Sequence, residues 1–211
     1  MRKFLNNYIN NDMKFDKLTM IGIICLVIVI SGIFGFIYEF IFYYLNSGMK
    51  TFYYRGGNFL PWINIYAIGS ILIYFLIYKF RKNPLKIFLY STIICGVLEY
   101  IAGYLIYNFR GARYWDYNTE ILNFGNIDGF ICLRSVLFFG ISSLLFIYII
   151  LPFCFYLAKK LSKKTFLIIS ISLCFIIISD ELYNLVFSKL FNLPTSSDIY
   201  KKIGFKYMEF K

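Results

Sequence analysis

The sequence predicts an all-α fold, a polytopic integral membrane helical bundle of about five transmembrane helices. Hydrophobic residues make up 60% of the 211-residue chain, and its mean hydropathy is +0.67. Both values exceed those usual for soluble globular domains. Apolar stretches that are long enough to cross a bilayer core as helices recur along the chain. These stretches cover residues 18–45, 62–80, 85–109, 130–157 and 165–191.

The positions of the apolar stretches predict three parts in the chain. Residues 1–17 are expected to form an N-terminal cytoplasmic interfacial segment, residues 18–193 the transmembrane domain, and residues 194–211 a basic C-terminal tail. In both end segments apolar side chains recur at helical spacing, which is typical of helices in the membrane interface. A frayed polar terminus is the alternative. The first apolar stretch is too long for the apolar region of a cleaved signal peptide, so a retained anchor is expected.

The composition excludes several kinds of active site. The chain has no histidine, which removes imidazole bases and histidine-ligated zinc or haem. It has no G-x-x-x-x-G-K-[ST] motif, so any ATP-driven process needs an ATPase on another chain. All five cysteines lie inside apolar stretches, where a free thiol behaves as a small hydrophobic group. No disulfide, metal site or cofactor is therefore expected.

Basic residues beside the apolar stretches indicate the topology. Lysine and arginine concentrate in residues 1–17, 79–86 and 159–164, and such clusters mark cytoplasmic segments. The N-terminus is therefore expected in the cytoplasm, in the plasma membrane of a bacterium whose AT-rich genome would explain the abundant Ile, Phe, Tyr, Asn and Lys. Five spans place the C-terminal tail outside, whereas its lysines favour the inside. Contact with anionic lipid accounts for the net charge of +11 better than contact with nucleic acid does.

Ionisable residues inside the apolar stretches are the first candidates for a functional site, because charge is costly in hydrocarbon. They are Glu39, Glu99, Arg134, Asp180 and Glu181. At about 1.5 Å per helical residue, their positions fall in the outer half of the bilayer. This predicts an acidic pocket that opens outward, with Glu99 and Asp180 lining one cavity.

Arg134 is expected to pair with Glu39. An arginine keeps its charge and therefore needs water or a carboxylate. Arg134 and Glu39 lie at similar depths, ~6 and ~9 Å from the outward ends of their stretches. Glu99 is the second choice because it lies deeper. The pair would leave Glu99 and Asp180 as the free carboxylates of the pocket.

The outward connections supply further candidates. Arg55 precedes two glycines in a basic turn before the second apolar stretch, and it is expected to contact a ligand or a lipid headgroup. Trp115 and Asp116 follow the third stretch, where an aromatic residue suits the membrane interface.

Several motifs then occur in a recognisable order. They are Gly35-x-x-Tyr38-Glu39; Arg55-Gly56 followed by Pro61, Ile65-Tyr66 and Gly69; Glu99; Trp115-Asp116-Tyr117; and Gly129-x-Ile131-Cys132-Leu133 with Gly140. Over roughly residues 30–140, with Asp180 as a looser match, this set resembles the putative ABC-transporter type IV family, often called CmpB-like. The resemblance implies a bacterial plasma-membrane protein of the permease type. The chain departs from the family pattern at Leu60, Asn64, Ala67 and Phe130.

Ten residues are candidates for ligand binding or proton coupling. They are Glu39, Glu99, Asp180, Glu181, Arg55, Arg134, Trp115, Asp116, Tyr38 and Tyr66. No residue is assigned as catalytic.

Three functions remain open. The first, which the resemblance favours, is a transporter permease component that binds a cationic or amphipathic solute. The second is a membrane-embedded enzyme acting on a lipid or lipid-linked substrate, with Glu99 or Asp180 as base and Arg55 or Arg110 holding phosphate. The lack of a nearby nucleophile or metal set makes an enzyme less favoured. The third is a non-catalytic accessory protein whose charges lock the helices together.

The expected partners start with the lipid bilayer. A separate ATPase subunit and self-association are both left open. The inward connections are short and almost purely basic, which argues against contact with an ATPase.

Overall fold

The structure, a computed structural model, consists almost entirely of helices. It describes residues 2–111 and 113–207, with the backbone alone described for Arg2, Lys3, Arg110 and Tyr207. The helices are α1 (Arg2–Asn10), α2 (Lys17–Asn46), α3 (Asn64–Ile77), α4 (Pro84–Arg110), α5 (Leu133–Leu145), α6 (Leu151–Lys160), α7 (Lys163–Leu182), α8 (Ser188–Leu190) and α9 (Ser196–Lys202). Short 3₁₀ helices cover Tyr78–Phe80 and Tyr117–Thr119. Two-residue strands, β1 (Tyr53–Tyr54) and β2 (Lys206–Tyr207), pair in parallel.

The predicted all-α membrane bundle is confirmed, since the structure is 73% helical. Among the described residues, four helices are long and apolar enough to cross a membrane. They are Lys17–Asn46, Pro84–Phe109, Leu133–Lys160 and Lys163–Leu190. The remaining predicted span, residues 62–80, corresponds to a shorter apolar helix, Asn64–Phe80. The predicted number of about five is therefore approximate.

Two π-helical turns interrupt the long helices, and each has a local cause. The turn Phe146–Ile150 joins α5 to α6 just before Pro152, which has no N–H for the helical ladder. The turn Tyr183–Phe187 joins α7 to α8, and there the Asn184 amide donates to the main-chain carbonyl of Asp180 at 2.9 Å. A side chain thus takes an acceptor that the ladder would normally use. Such turns often lie at functional sites.

The chain forms two compact units, which are described separately. Unit 1 comprises the described residues of Met1–Ile71 and Ile150–Met208, and unit 2 comprises those of Leu72–Ile149.

In unit 1, helices α2 and α7 run parallel. Asp16 caps the first turn of α2 and pairs with Lys163 at the start of α7, with 2.8 Å between carboxylate and ammonium. Further along, Cys25 packs against the core cluster that contains Cys174. Gly22 lies between these contacts, and a Cβ there would press against α7. The two helices therefore start at the same end of the unit and stay in contact along their length.

The C-terminal tail binds the connection between α2 and α3 in unit 1. Strand β2 in the tail pairs with β1, and the Ser196 hydroxyl donates to the Gly57 carbonyl at 2.6 Å. The Tyr200 hydroxyl donates to the Phe59 carbonyl at 2.7 Å. The tail thus lies at the end of α7 opposite Lys163. Residues 208–211 of the predicted basic tail lie outside the described residues.

In unit 2, helices α4 and α5 form an antiparallel pair with small residues at the contact. A Cβ on Gly96 would press against Val136, and a Cβ on Gly140 would overlap Thr92. Small residues allow membrane helices to approach closely.

Candidate functional site

A non-helical segment in unit 1, residues 55–63, lies beside the middle of α2. The Ile63 amide donates to the Gly32 carbonyl at 3.1 Å, and the Trp62 indole donates to the Ile28 carbonyl at 3.0 Å. Gly32 and Ile28 lie ~23 and ~17 Å along α2 from Lys17. Since a bilayer core is about 30 Å thick, the 55–63 segment reaches membrane depth without helical hydrogen bonds. We call it the re-entrant segment.

Gly32 makes this close approach possible. A Cβ at Gly32 would overlap the Trp62 indole, and that indole is 5% exposed. Trp62 therefore fills the space that the glycine leaves free, and the helix and the re-entrant segment meet backbone to side chain.

Asp180 on α7 accepts main-chain hydrogen bonds from the re-entrant segment. The Phe59 and Leu60 amides donate to its two carboxylate oxygens at 3.0 and 2.7 Å. The Asn184 amide, one turn further along, donates to the same carboxylate at 2.9 Å. Backbone N–H groups at membrane depth need acceptors because no water is available there. Asp180 supplies the acceptors that a helix would have provided from its own backbone.

Glu181 holds the two asparagines that flank the segment's turn into α3. Asn58 donates to one carboxylate oxygen at 2.6 Å, and Asn64 donates to the other at 2.8 Å. Asn58 is buried, at 3% exposed. The adjacent acids on α7 thus bind the segment together, Asp180 through backbone groups and Glu181 through side-chain amides.

Glu39 forms a separate ion pair near the end of α2. The Arg55 guanidinium donates to the Glu39 carboxylate at 2.8 Å, and the Tyr66 hydroxyl donates to its other oxygen at 3.3 Å. Arg55 also lies over the Tyr43 ring, and the Tyr38 and Tyr66 rings meet edge to face at 6.4 Å between centroids. Side-chain exposures of 11% for Arg55 and 16% for Glu39 make this a partly buried pair.

In unit 2, Glu99 is buried on α4 and accepts two hydroxyl groups. Tyr117 donates to one of its carboxylate oxygens at 2.5 Å, and Ser135 donates to the other at 2.8 Å. Glu99 is 4% exposed. Tyr117 belongs to the short 3₁₀ helix in the connection between α4 and α5, and Ser135 belongs to the first turn of α5. The carboxylate therefore fastens the connection and α5 to α4.

The predicted Arg134–Glu39 pair is wrong. Arg134 pairs with Glu120, with 2.5 Å between guanidinium and carboxylate, whereas Glu39 pairs with Arg55. Side-chain exposures of 16% for Arg134 and 1% for Glu120 show that the connection folds back over its own helix. Matching depth alone predicted the partner, and it left out the carboxylates of the connection.

Trp115 and Asp116 order the same connection. The Trp115 indole donates to the Phe130 carbonyl at 2.9 Å, and Asp116 accepts from the Asn118 amide and side chain at 3.0 and 2.7 Å. Gly129 has a φ of +75°, and a Cβ there would overlap Asp116 and Asn118. These contacts are internal to the connection.

The structure divides the predicted site residues between its two units. Unit 1 brings together Glu39, Arg55, Tyr38 and Tyr66, and separately places Asp180 beside Glu181. Unit 2 contains Glu99, Arg134, Trp115 and Asp116. The common cavity of Glu99 and Asp180 stays a prediction, because the two acids belong to different units. The side chain of Arg110, the suggested phosphate ligand, lies outside the described part of the chain.

Sequence reasoning missed most of the partners of the charged site residues. They are Asn58, Asn64, Asn184, Ser135, Tyr117 and Glu120. One available signal was helical spacing, since Asn184 follows Asp180 by one turn. Another was the presence of polar residues on both sides of an apolar stretch.

Comparison with known proteins bears on what these clusters serve. The putative ABC-transporter type IV family matches residues 26–185. The chain belongs to this family. The matched range contains the re-entrant segment, the connection between α4 and α5, and the acids Glu39, Glu99, Asp180 and Glu181. The predicted resemblance is therefore confirmed. No match is found among curated proteins or among solved structures.

Proposed function

We propose that the protein is the membrane-spanning, permease-type component of an ABC-type transporter in a bacterial plasma membrane, with its N-terminus in the cytoplasm. In this proposal, the re-entrant segment of unit 1 borders the solute path. Family membership supports a transport-related membrane protein. The observation that carries the finer proposal is the non-helical backbone at membrane depth, fastened by Asp180. Non-helical backbone at that depth occurs where it is buried in protein or lines a water-filled cavity, as in transporters.

In this proposal the acids of unit 1 have a different role from that of the predicted acidic pocket. Asp180 and Glu181 position the re-entrant segment, and Glu39 is neutralised by Arg55. The acids of unit 1 therefore act as positioning residues, and a cationic solute is not required. Movement of the segment would exchange its contacts with Asp180 for contacts elsewhere.

Purification from the native host tests the need for an ATPase. We expect the chain, extracted in mild detergent, to retain an ABC-type ATPase and vanadate-sensitive ATP hydrolysis. The inward segments are short and basic, so an ATPase that docks there would depend on the few charges they carry. Charge reversal at Lys82, in the turn before α4, and at Lys159, in the last turn of α6, should therefore release the ATPase. Reversal at Lys201 and Lys202 in the tail is the matched control and should leave it bound. A pure, folded chain without ATP hydrolysis would contradict the proposal.

A non-catalytic accessory protein is the second candidate, because the acids chosen as ligand groups have partners inside their own unit. Asp180→Asn separates the two functions. The asparagine keeps one oxygen acceptor but loses the charge, so a permease should lose coupled ATP hydrolysis while staying folded. An accessory protein should change only in thermal stability.

A further inference from the structure

Buried hydroxyl groups on α4 and α5 lack hydrogen-bond partners. The Oγ of Ser91, the Oγ1 of Thr92 and the Oγ of Ser142 are enclosed, and none has a partner among the described residues. Ser91 is 0% exposed. A buried polar group without a partner destabilises the fold, so such groups indicate bound water or another polar ligand.

One of these hydroxyls, that of Ser91, lies on the same face of α4 as Glu99. On α4, Ser91, Cys95 and Glu99 follow one another at intervals of four residues and therefore lie on one face. All three are buried, at 0, 3 and 4% exposed. Cys95 lies close enough to Glu99 for an electrostatic interaction.

Helix α5 contributes the opposite wall. Ser135, which donates to Glu99, and Ser142 are seven residues apart and share a face of α5. The helices are antiparallel, and Gly140 lies at the level of Thr92. Ser142 therefore lies at the level of Ser91, on the same side of the helix pair as Ser135.

We propose that this polar groove, formed by Ser91, Cys95, Glu99, Ser135 and Ser142, holds a file of bound water between the Ser91 and Ser142 hydroxyls and Glu99. A hydroxyl offers one donor and two acceptor positions, and a buried water typically makes about three hydrogen bonds. Ser91 and Ser142 together supply such a site. Thr92 adds a third hydroxyl beside it.

The dimensions fit a short file of water. Ser91 and Glu99 lie ~12 Å apart along α4. Water over that distance would hydrogen-bond with the hydroxyls and extend towards a carboxylate that is otherwise enclosed by Tyr117 and Ser135. The inference is independent of the proposed function, because its residues lie in unit 2 and the re-entrant segment lies in unit 1.

Single cysteines test the hydration directly. In a background with the native cysteines replaced by alanine, Ser91→Cys and Ser142→Cys are treated with 2-aminoethyl methanethiosulfonate, a small water-soluble reagent. Ser143→Cys is the matched control, because Ser143 is fully buried and its hydroxyl donates to the Gly140 carbonyl at 2.6 Å. Both test positions should react at least about tenfold faster than the control, since only a hydrated thiol forms the reactive thiolate. Equal rates would overturn the proposal.

Thermal unfolding of alanine variants gives a second measurement in the otherwise native chain. If water binds the hydroxyls, Ser91→Ala and Ser142→Ala should lower the melting temperature, as Ser143→Ala does. If the hydroxyls are dry, their removal relieves an unpaired polar group. An unchanged or raised melting temperature in both variants would therefore contradict the water file.

Discussion

The carboxylates of the two units serve different kinds of partner. In unit 1, Asp180 accepts from the backbone of a non-helical segment. In unit 2, Glu99 accepts from the hydroxyls of Tyr117 and Ser135. The first arrangement replaces hydrogen bonds that a regular helix would make internally. The second joins elements that are already regular. Acids in apolar stretches can therefore have different roles. The effect of removing such an acid depends on which groups donate hydrogen bonds to it.

The surroundings of the two acids differ as well. Asp180 is followed by Asn184, which satisfies both the carboxylate and the main-chain carbonyl. Glu99 is preceded along its face by Cys95 and Ser91, and the Ser91 hydroxyl has no partner within the described chain. The Asp180 carboxylate thus has its partners close by, whereas the face of α4 that bears Glu99 continues to a buried hydroxyl without a partner in the described chain.

Asp180→Ala should have the largest effect. It removes the acceptor of the Phe59 and Leu60 amides at membrane depth. At about 1.5–3 kcal/mol for each hydrogen bond to a charged group, the loss is roughly 3–6 kcal/mol. The measurement is the yield of monodisperse protein and its melting temperature in detergent. Asp180→Asn, which keeps an oxygen acceptor, should fall between wild type and alanine. A well-folded Asp180→Ala protein would show that the re-entrant segment does not depend on this acid.

The Arg134–Glu120 pair of unit 2 should show strong coupling. Removal of one partner, in Glu120→Gln or Arg134→Met, leaves the other charge buried and should cost about 3–5 kcal/mol. The double variant should be less destabilised than the sum of the single variants, because no lone charge remains. A double-mutant cycle of unfolding free energies measures this coupling. Additive effects would mean that the pair is weak despite its burial.

Two tyrosine-to-phenylalanine changes compare the units at matched chemistry. Tyr117→Phe removes the 2.5 Å bond to Glu99, which is buried, and should cost about 1.5–3 kcal/mol. Tyr66→Phe removes a 3.3 Å bond to Glu39, which still has Arg55, and should cost less than about 1 kcal/mol. Melting temperatures of the two variants give the order. The reverse order would contradict the distinction drawn between the two acids.

Asp16→Asn should have the smallest effect, and that effect should depend on pH. The Asp16 carboxylate is exposed, and its hydrogen bond with Lys163 holds its pKa below the ordinary value of 3.8. A lowered folded-state pKa means that the ionised group stabilises the fold above that ordinary value. The contribution is lost as the pH falls below it. The small difference in melting temperature between wild type and variant should therefore be present at pH 7 and shrink below about pH 4. A difference that is constant with pH would rule out the charge as its source.

Hydropathy predicted the long helices well, because an apolar stretch of sufficient length has few other solutions. It also selected the acids, since Glu99 and Asp180 stand out in stretches with few other charges. It could not supply their partners. Glu120 reaches Arg134 across a connection that turns back at residues with positive φ, among them Gly125 and Gly129, and a positive φ has no hydropathy signal. Hydropathy also predicts that the second apolar stretch begins at residue 62, because Trp62 and Ile63 are apolar. In the structure these two residues precede α3 and donate hydrogen bonds to carbonyl groups of α2.

The parallel arrangement of α2 and α7 constrains the number of membrane crossings between them. A chain that leaves α2 at one membrane face and enters α7 at the other must cross the membrane an odd number of times in between. If α4 and the Leu133–Lys160 helix each cross once, α3 supplies the third passage. The apolar helix Asn64–Phe80, which contains α3 and is ~25 Å long, is enough because the re-entrant segment has already entered the membrane before Asn64. Lys201 and Lys202 in the tail then lie beyond the end of α7 that is opposite Lys163.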